Sequence, residues 1–240
     1  MNICKDISEK ISCIDWQKVT EEMNEKGYAL VLRLLPGQYC EGLINEYDNS
    51  DLFRKTITME RHGFGLGEYK YFKYPLPDLI ETIRKNIYPK LTPIANTWMK
   101  ALNIERKFPN QFEEFQRLCH HKNQTKPTVL ILKYGKGGYN TLHQDLYGDI
   151  FFPIQLVLFL NEPGYDYAGG EFVLTQQIPR AQSKAIVLKP CKGDMLILTT
   201  NFRPVKGSKG YYRVQMKHGI SEVHNGSRYT LGIIFHDALS

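Results

Sequence analysis

After Pro127 the chain changes grammar, and no other feature constrains its fold as much. Short runs of branched and aromatic residues succeed one another: Val129–Tyr134, Ile154–Leu160, Glu171–Thr175, Ala185–Leu188, Met195–Thr199, Tyr211–Lys217 and Tyr229–Phe235. Gly, Pro or the turn Asn161-Glu162-Pro163-Gly164 separates most of them. Strands this short and this closely spaced predict an antiparallel sandwich or barrel. The preceding half reads differently. Ile14–Met23 patterns as a surface helix ended by Gly27, Tyr28–Leu32 as a strand, and Pro36 opens a second helix. Residues 77–102 read as two helices broken near Pro89 and Pro93, and Phe108–Leu118 as another. Gly63, Gly65 and Gly67 make Arg61–Phe72 a loop. No linker or repeat interrupts the chain. The expectation is one α+β domain with a mainly β core over residues 1–240, with 1–125 mostly helical and 126–240 the strand-rich part.

Composition narrows the function classes. At 240 residues with 42% hydrophobic and 23% charged side chains the chain can bury a sizeable core, which excludes wholesale disorder. No apolar run approaches the ~18 residues of a membrane span, and Met1-Asn2-Ile3-Cys4-Lys5-Asp6 lacks a secretory pattern. Five cysteines without a CxxC pair fit a reducing cytoplasm and buried thiols. The net charge of +6 tilts weakly toward anionic partners, with no Lys/Arg block in the sequence.

The chemistry concentrates in Leu142-His143-Gln144-Asp145. In extended chain, residues two apart share a face, so His143 and Asp145 can offer a nitrogen and an oxygen to one metal ion. His218, just past the strand Tyr211–Lys217, is the candidate third ligand; His224, beside the turn Asn225-Gly226, is expected in solvent. Two His and one carboxylate on a single face leave open positions for a chelating cosubstrate and O2, the non-haem Fe(II) arrangement. Ten residues after His218 comes Arg228, on the last strand. A cation buried beside a metal needs an anionic partner, and the distal end of a dicarboxylate supplies one. Thr230 and Tyr134 can donate hydroxyls to the same carboxylate.

The pattern Tyr134…His143-x-Asp145…His218…Arg228-x-Thr230 resembles the Fe(II)/2-oxoglutarate-dependent oxygenases. The resemblance implies a double-stranded β-helix (jelly roll) with N-terminal helices packed against it. It also implies Fe(II) on His143, Asp145 and His218, and 2-oxoglutarate on Arg228, Tyr134 and Thr230. The His218-to-Arg228 interval looks like the prolyl-hydroxylase branch, and the Tyr134-to-His143 interval like that of nucleic-acid dealkylases. Arg61-His62-Gly63-Phe64-Gly65, Tyr74-Pro75-Leu76-Pro77-Asp78, Gly169-Gly170-Glu171-Phe172 and His236-Asp237 are similar to a bacterial subgroup labelled as oxidative DNA demethylases or prolyl-hydroxylase-like proteins. The chain departs from the dealkylases in carrying no second Arg after Arg228.

The resemblance implies an enzyme that converts 2-oxoglutarate and O2 to succinate and CO2 while oxidising a substrate C–H. Its substrate is an alkylated nucleic acid, a protein side chain or a small molecule. A non-catalytic ligand-binding jelly roll is the alternative. Arg61, His62, Tyr147 and Arg213 are the candidate substrate residues, with Lys70 beside them in the loop. Gln155 is expected either to point into the barrel or to be a core polar residue with one local partner, His236 to be structural or to support a ligand from behind, and His120-His121 to form a solvated cap.

Overall fold

The computed structural model describes residues 3–240. Among these, five α-helices form: α1 (Ile3–Ser12), α2 (Trp16–Lys26), α3 (Gly37–Asn45), α4 (Asp78–Ala101) and α5 (Phe112–His121). Four strands precede Pro127: β1 (Tyr28–Val31), β2 (Phe53–Thr58), β3 (Gly65–Leu66) and β4 (Glu68–Phe72). Eleven come after it: β5 (Leu130–Tyr134), β6 (Tyr139–His143), β7 (Ile154–Phe159), β8 (Tyr167–Gly169), β9 (Phe172–Gln177), β10 (Lys184–Leu188), β11 (Met195–Thr199), β12 (Phe202–Gly207), β13 (Gly210–Ile220), β14 (Val223–Gly226) and β15 (Arg228–Ile233).

Two antiparallel sheets face each other, as the resemblance led us to expect. The larger runs β1-β11-β7-β15-β5-β4-β2; the smaller runs β10-β9-β13-β6-β3, with β12 paired to β13. A short β14-β8 pair stands apart. The larger sheet is buried on both faces, which is why β7 is buried along its whole length. Alternate residues divide between two cores. Leu156, Leu158, Leu231 and Ile233 pack outward with Ile83, Ile87, Leu91 and Trp98 of α4. Val157 and Phe159 pack inward with Phe172, Leu174 and Ile220 of the smaller sheet. The inward layer contains the site.

Two sequence expectations are corrected. Residues 78–101 form one continuous helix with Pro89 and Pro93 inside it. Neither proline is buried, whereas the opposite face (Ile87, Tyr88, Leu91, Ile94, Trp98) is. The missing N–H groups therefore free carbonyls toward solvent, and burial of one apolar face outweighs the local cost. The Arg61–Phe72 stretch contains two strands and is not simply a loop. Gly65 and Gly67, at φ 137° and 150°, let β3 lie on β6 and β4 lie on β5. A Cβ on Gly65 would sit 2.2 Å from the Tyr139 carbonyl oxygen, so only glycine permits that approach. The 1–125 part thus lends strands to both sheets. Cys40 and Cys119 are buried as expected, but Cys13 and Cys191 are exposed. Among the described residues no helix is long and apolar enough to cross a membrane.

Candidate metal centre and cosubstrate chamber

β6 and β13 run antiparallel with His143 directly opposite His218, and their rings lie 4.3 Å apart. Asp145 stands just beyond the end of β6. Its Oδ1 is 3.6 Å from His143 Nε2, and its Oδ2 is 3.3 Å from His218 Nε2. One ligand atom from each residue falls within 4.8 Å of the others. Among the described residues no other such cluster forms.

Each side chain is held from behind. His143 Nδ1 donates to the Thr141 carbonyl at 2.8 Å, which leaves Nε2 as the lone-pair nitrogen facing Asp145. The His218 ring stacks on Phe172 at 5.7 Å with planes 7° apart. Tyr147 donates to Asp145 Oδ1 at 2.8 Å and Gln155 to Oδ2 at 2.9 Å. Gln144, between the two ligands, donates to the carbonyls of Asn201 and Met216, pinning the turn to β13 and to the residue just before β12. Burial lowers His143, and neighbouring His218 adds to this, so its imidazole is neutral. Burial alone would raise Asp145. Hydrogen bonding from the His218 ring and the Gln155 amide opposes this and favours the ionised carboxylate, which is held below its usual range. For His143 and Asp145 these are the protonation states that ligate a metal.

Inward of these residues lies a cavity of about 50 Å³ lined by Tyr134, Asn140, Gln155, Thr230 and Gly232 as well as the three ligand residues. The Tyr134 hydroxyl accepts from Asn140 Nδ2 at 3.2 Å, and burial pushes its pKa up to about 12, so it remains a donor. Arg228 sits opposite Tyr134 in the β15–β5 register. Its guanidinium is 1% exposed and ringed by Phe159, Tyr134 and Tyr167 at 5.5, 5.7 and 5.8 Å. Nε, Nη1 and Nη2 all lack a hydrogen-bond partner. A Cβ at Gly170 would come within 2.9 Å of the Arg228 side chain, which explains the glycine there. A buried cation with five unused donors is costly unless an anion meets it. The residues therefore fit a carboxylate ligand.

Outward of the ligands a second chamber of about 180 Å³ opens, lined by Phe64, Tyr69, Thr141, Gln144 and Tyr147. Both chambers share Asn140, His143 and Asp145. Of the residues expected to meet substrate, only Tyr147 lines it. Arg61 and His62 are exposed on the single turn Met59–His62, and His62 reaches the chamber only by stacking on Phe64 at 5.3 Å. Lys70 turns away to the Tyr47 carbonyl. Arg213 precedes His218 by an odd number of residues, and the alternation of β13 puts it on the exposed side. His120 and His121 are exposed at the end of α5 as expected, and His120 Nε2 also lies 3.0 Å from buried Asp237. His224 is exposed, as expected, and His236 is buried. Sequence reasoning gave no role to Asn140, Phe172 and Tyr167. Their types carry no signal until pairing brings them beside the ligands and Arg228.

The fold and the site define a jelly-roll protein with a three-residue cluster that could hold a metal ion. A family model described as an oxygenase catalysing oxidative methylation of damaged DNA matches residues 67–238, and the chain belongs to that family. Two uncharacterised proteins of Mycobacterium tuberculosis, from strains CDC 1551 / Oshkosh and ATCC 25618 / H37Rv, are 44% identical over 167 residues, covering 70% of this chain and 72% of each relative. Solved structures share the fold at low identity. A Pseudomonas putida prolyl-4-hydroxylase has TM-score 0.53 at 12% identity, covering 92% of this chain and 98% of its own. A Trichoplax adhaerens prolyl hydroxylase, in complex with a hypoxia inducible factor peptide, has 0.54 at 12%, covering 95% and 91%. A Burkholderia pseudomallei oxidoreductase of the 2OG-Fe(II) oxygenase family has 0.50 at 15%, covering 94% of each chain. The expected enzyme class, an oxygenase, is met by the family, and the solved structures share the expected fold.

Proposed function

We propose that this chain is an Fe(II)- and 2-oxoglutarate-dependent dioxygenase acting on an N-alkylated base in nucleic acid. The observation that carries the cosubstrate reading is Arg228, a fully buried guanidinium without a partner, in the same barrel interior as the triad. His143, Asp145 and His218 would hold Fe(II), and Arg228, Tyr134 and Thr230 the distal carboxylate of 2-oxoglutarate. Bound there, iron and 2-oxoglutarate would supply the O2 chemistry that oxidises a substrate C–H bond, with succinate and CO2 as the coproducts. The chain's own residues bind, orient and exclude water. Gln155 and Tyr147 fix the Asp145 carboxylate, Thr141 fixes the His143 tautomer, and the inward apolar layer keeps the interior dry. We read residues 1–240 as one such domain, because β1, β2 and β4 complete the larger sheet.

The substrate reading rests on the family and on the outward chamber, whose Phe64, Tyr69 and Tyr147 suit a flat ring. Oxidation of an N-methyl carbon gives a hydroxymethyl group that leaves as formaldehyde. The test is succinate and formaldehyde formation by the Fe(II)-loaded chain with N-methylated single-stranded DNA. Equal amounts of the two, abolished by His143→Ala, are expected. Succinate stimulated only by a proline-rich peptide or by cell metabolites would replace this substrate with a protein side chain or small molecule. No succinate under any condition would favour a non-catalytic ligand-binding jelly roll.

A further inference from the structure

The basic excess is not spread evenly once the strands are paired. Residues 172–221 hold nine Lys and Arg and a single acidic residue, Asp194. Asp194 is buried, and its carboxylate is taken by the backbone N–H groups of Arg33 and Cys191. This segment forms β9, β10, β12 and β13, which are neighbours in the smaller sheet, apart from β11, which lies in the larger one. Along β13 the side chains alternate. Val214, Met216 and His218 are buried, whereas Arg213, Gln215 and Lys217 are exposed. The strand that presents a metal ligand inward therefore presents a polar, basic row outward.

The register joins this row to the mouth. His143 pairs with His218 in antiparallel sense, so the loop after β6 runs back alongside Met216 and Gln215. Gln144 bonds both of them, through the Met216 carbonyl at 2.8 Å and Gln215 Oε1 at 3.1 Å. At that end two guanidiniums lie over an aromatic pair. Arg213 is 5.1 Å from the Phe202 ring, Phe202 packs edge-on against Phe151, and Arg106 is 5.1 Å from Phe151. Lys209, Arg213 and Lys217 are exposed and Arg106 is half-buried. Among the described residues none of the four has a carboxylate within 4 Å. Arg106 spends one Nη2 hydrogen bond on the Asp149 carbonyl at 3.1 Å, which fixes its direction without neutralising it. Aromatic contact holds each guanidinium and leaves N–H donors for an anion. The other flank of the hairpin differs, since Glu21 and Glu25 of α2 share a groove with Arg203 and Lys206.

We propose that the exposed side of β13, with Arg106 on the facing loop, binds the phosphate backbone of a single nucleic-acid strand and leads it across the outward chamber. Arg213, Arg106 and Lys217 take phosphates, and Gln215 offers a neutral contact between them. At about 3.3 Å per strand residue, Arg213 and Lys217 are some 13 Å apart along β13, a span of two to three nucleotides. The choice of ligand rests on the nucleic-acid reading above, but the surface is tested without turnover.

The experiment titrates the full chain with a fluorescent, unmodified 12-nucleotide single-stranded DNA by anisotropy at several salt concentrations. Log K is expected to fall linearly with log salt, with a slope near −0.7 per phosphate neutralised. Arg213→Glu/Lys217→Glu is expected to weaken binding at least ~10-fold at low salt and to flatten the slope by about 1–2. Lys5→Glu/Lys18→Glu, which changes net charge equally on α1 and α2, is expected to shift binding less than ~2-fold. Equal loss in the two double variants would overturn the proposal, as would displacement of the DNA by polyglutamate of matched charge. The two readings separate cleanly. Localised DNA binding without turnover of methylated DNA keeps the surface and removes the alkylated-base substrate. Turnover of methylated oligonucleotide by Arg213→Glu/Lys217→Glu with an unchanged KM removes the surface and keeps the substrate.

Discussion

Two arginines are wholly buried in this molecule, and they live in opposite circumstances. Arg84, on α4, is 0% exposed and engaged at both terminal nitrogens. Nη1 donates to the Tyr74 hydroxyl at 2.7 Å, while Nη2 donates to the Phe235 carbonyl at 2.9 Å and to Asp237 Oδ1 at 2.8 Å. Tyr74 and His120 also reach the Asp237 carboxylate. Arg228 is as deeply buried and has no hydrogen-bond partner. One cation is neutralised by the fold itself, and the other awaits an anion from outside. Burial of a charge therefore does not define its role; the unspent hydrogen bonds do. The contrast predicts that the first pair carries stability and the second carries binding.

The largest effect is expected at the satisfied site. Asp237→Ala strands the Arg84 cation in an apolar setting and removes the acceptor of Tyr74 and His120. Breaking a buried pair from one side costs about 3–5 kcal/mol, which for a chain of this size lowers the thermal midpoint by roughly 10 °C. Calorimetry of the metal-free chain measures this, and a midpoint within about 2 °C of wild type would erase the distinction drawn between the two arginines. At the unsatisfied site the same chemistry predicts the reverse. Arg228→Met removes an uncompensated charge, so the ligand-free fold should hold or gain stability. Its 2-oxoglutarate affinity should fall roughly 100- to 1000-fold, the worth of a bidentate charged pair. Anaerobic titration with Fe(II) and 2-oxoglutarate reads the affinity. A thermal shift on adding both should appear in wild type and vanish in the variant.

How much of this is legible in the sequence depends on which interactions are local. The alternation that places His143 and Asp145 on one face is a property of three consecutive residues, and the strand runs after Pro127 are equally local. Arg228 is readable because a lone cation two residues from a hydroxyl on an apolar strand has few structural explanations. Its cage is not. Phe159 and Tyr167 lie some 60 to 70 residues away in sequence and become neighbours only through strand pairing. The prolines of α4 mislead for a related reason, since a local cost is visible and the buried face that outweighs it is not. Nearness to His218 in sequence suggests that Arg213 lines the mouth. Period 2 turns it to the far side of the same strand.

A smaller effect separates the two sites by pH. His236 lies beside the Arg84 network and toward Asp145, and its Nδ1 accepts from the Phe152 N–H at 3.2 Å. Burial pushes it down to about 4, with Asp145 opposing and Arg84 assisting. Between about 4 and its ordinary value near 6.5 the unfolded chain binds a proton that the fold refuses. Stability therefore falls as pH drops through that window, by about 3 kcal/mol in total. His236→Gln, which keeps an acceptor without a titrating ring, should flatten urea-derived stability between about pH 6.5 and 4. An unchanged pH slope would assign the loss to other groups.

The smallest expected effect sharpens what surrounds the metal. Asp145 receives one hydrogen bond on each oxygen, from Tyr147 and from Gln155. A metal needs one of those oxygens, so one donor steadies the oxygen that remains free and the other must yield or share. Tyr147 is the donor at the outward chamber, and burial together with the Asp145 charge raises its hydroxyl pKa, which keeps it protonated at all working pH. Tyr147→Phe retains the ring against Tyr71 and His236 and deletes only that donor. If Tyr147 steadies the free oxygen, Fe(II) affinity should fall about 10-fold, the usual scale for a group that orients a ligand. The proposed 2-oxoglutarate affinity should be unchanged, because Arg228, Tyr134 and Thr230 are untouched. If Tyr147 instead competes with the metal, affinity should rise, and Gln155→Leu should produce the loss. Competition titrations with a metal chelator on the two variants give opposite signs in the two cases, and equal affinities would show that neither donor positions Asp145.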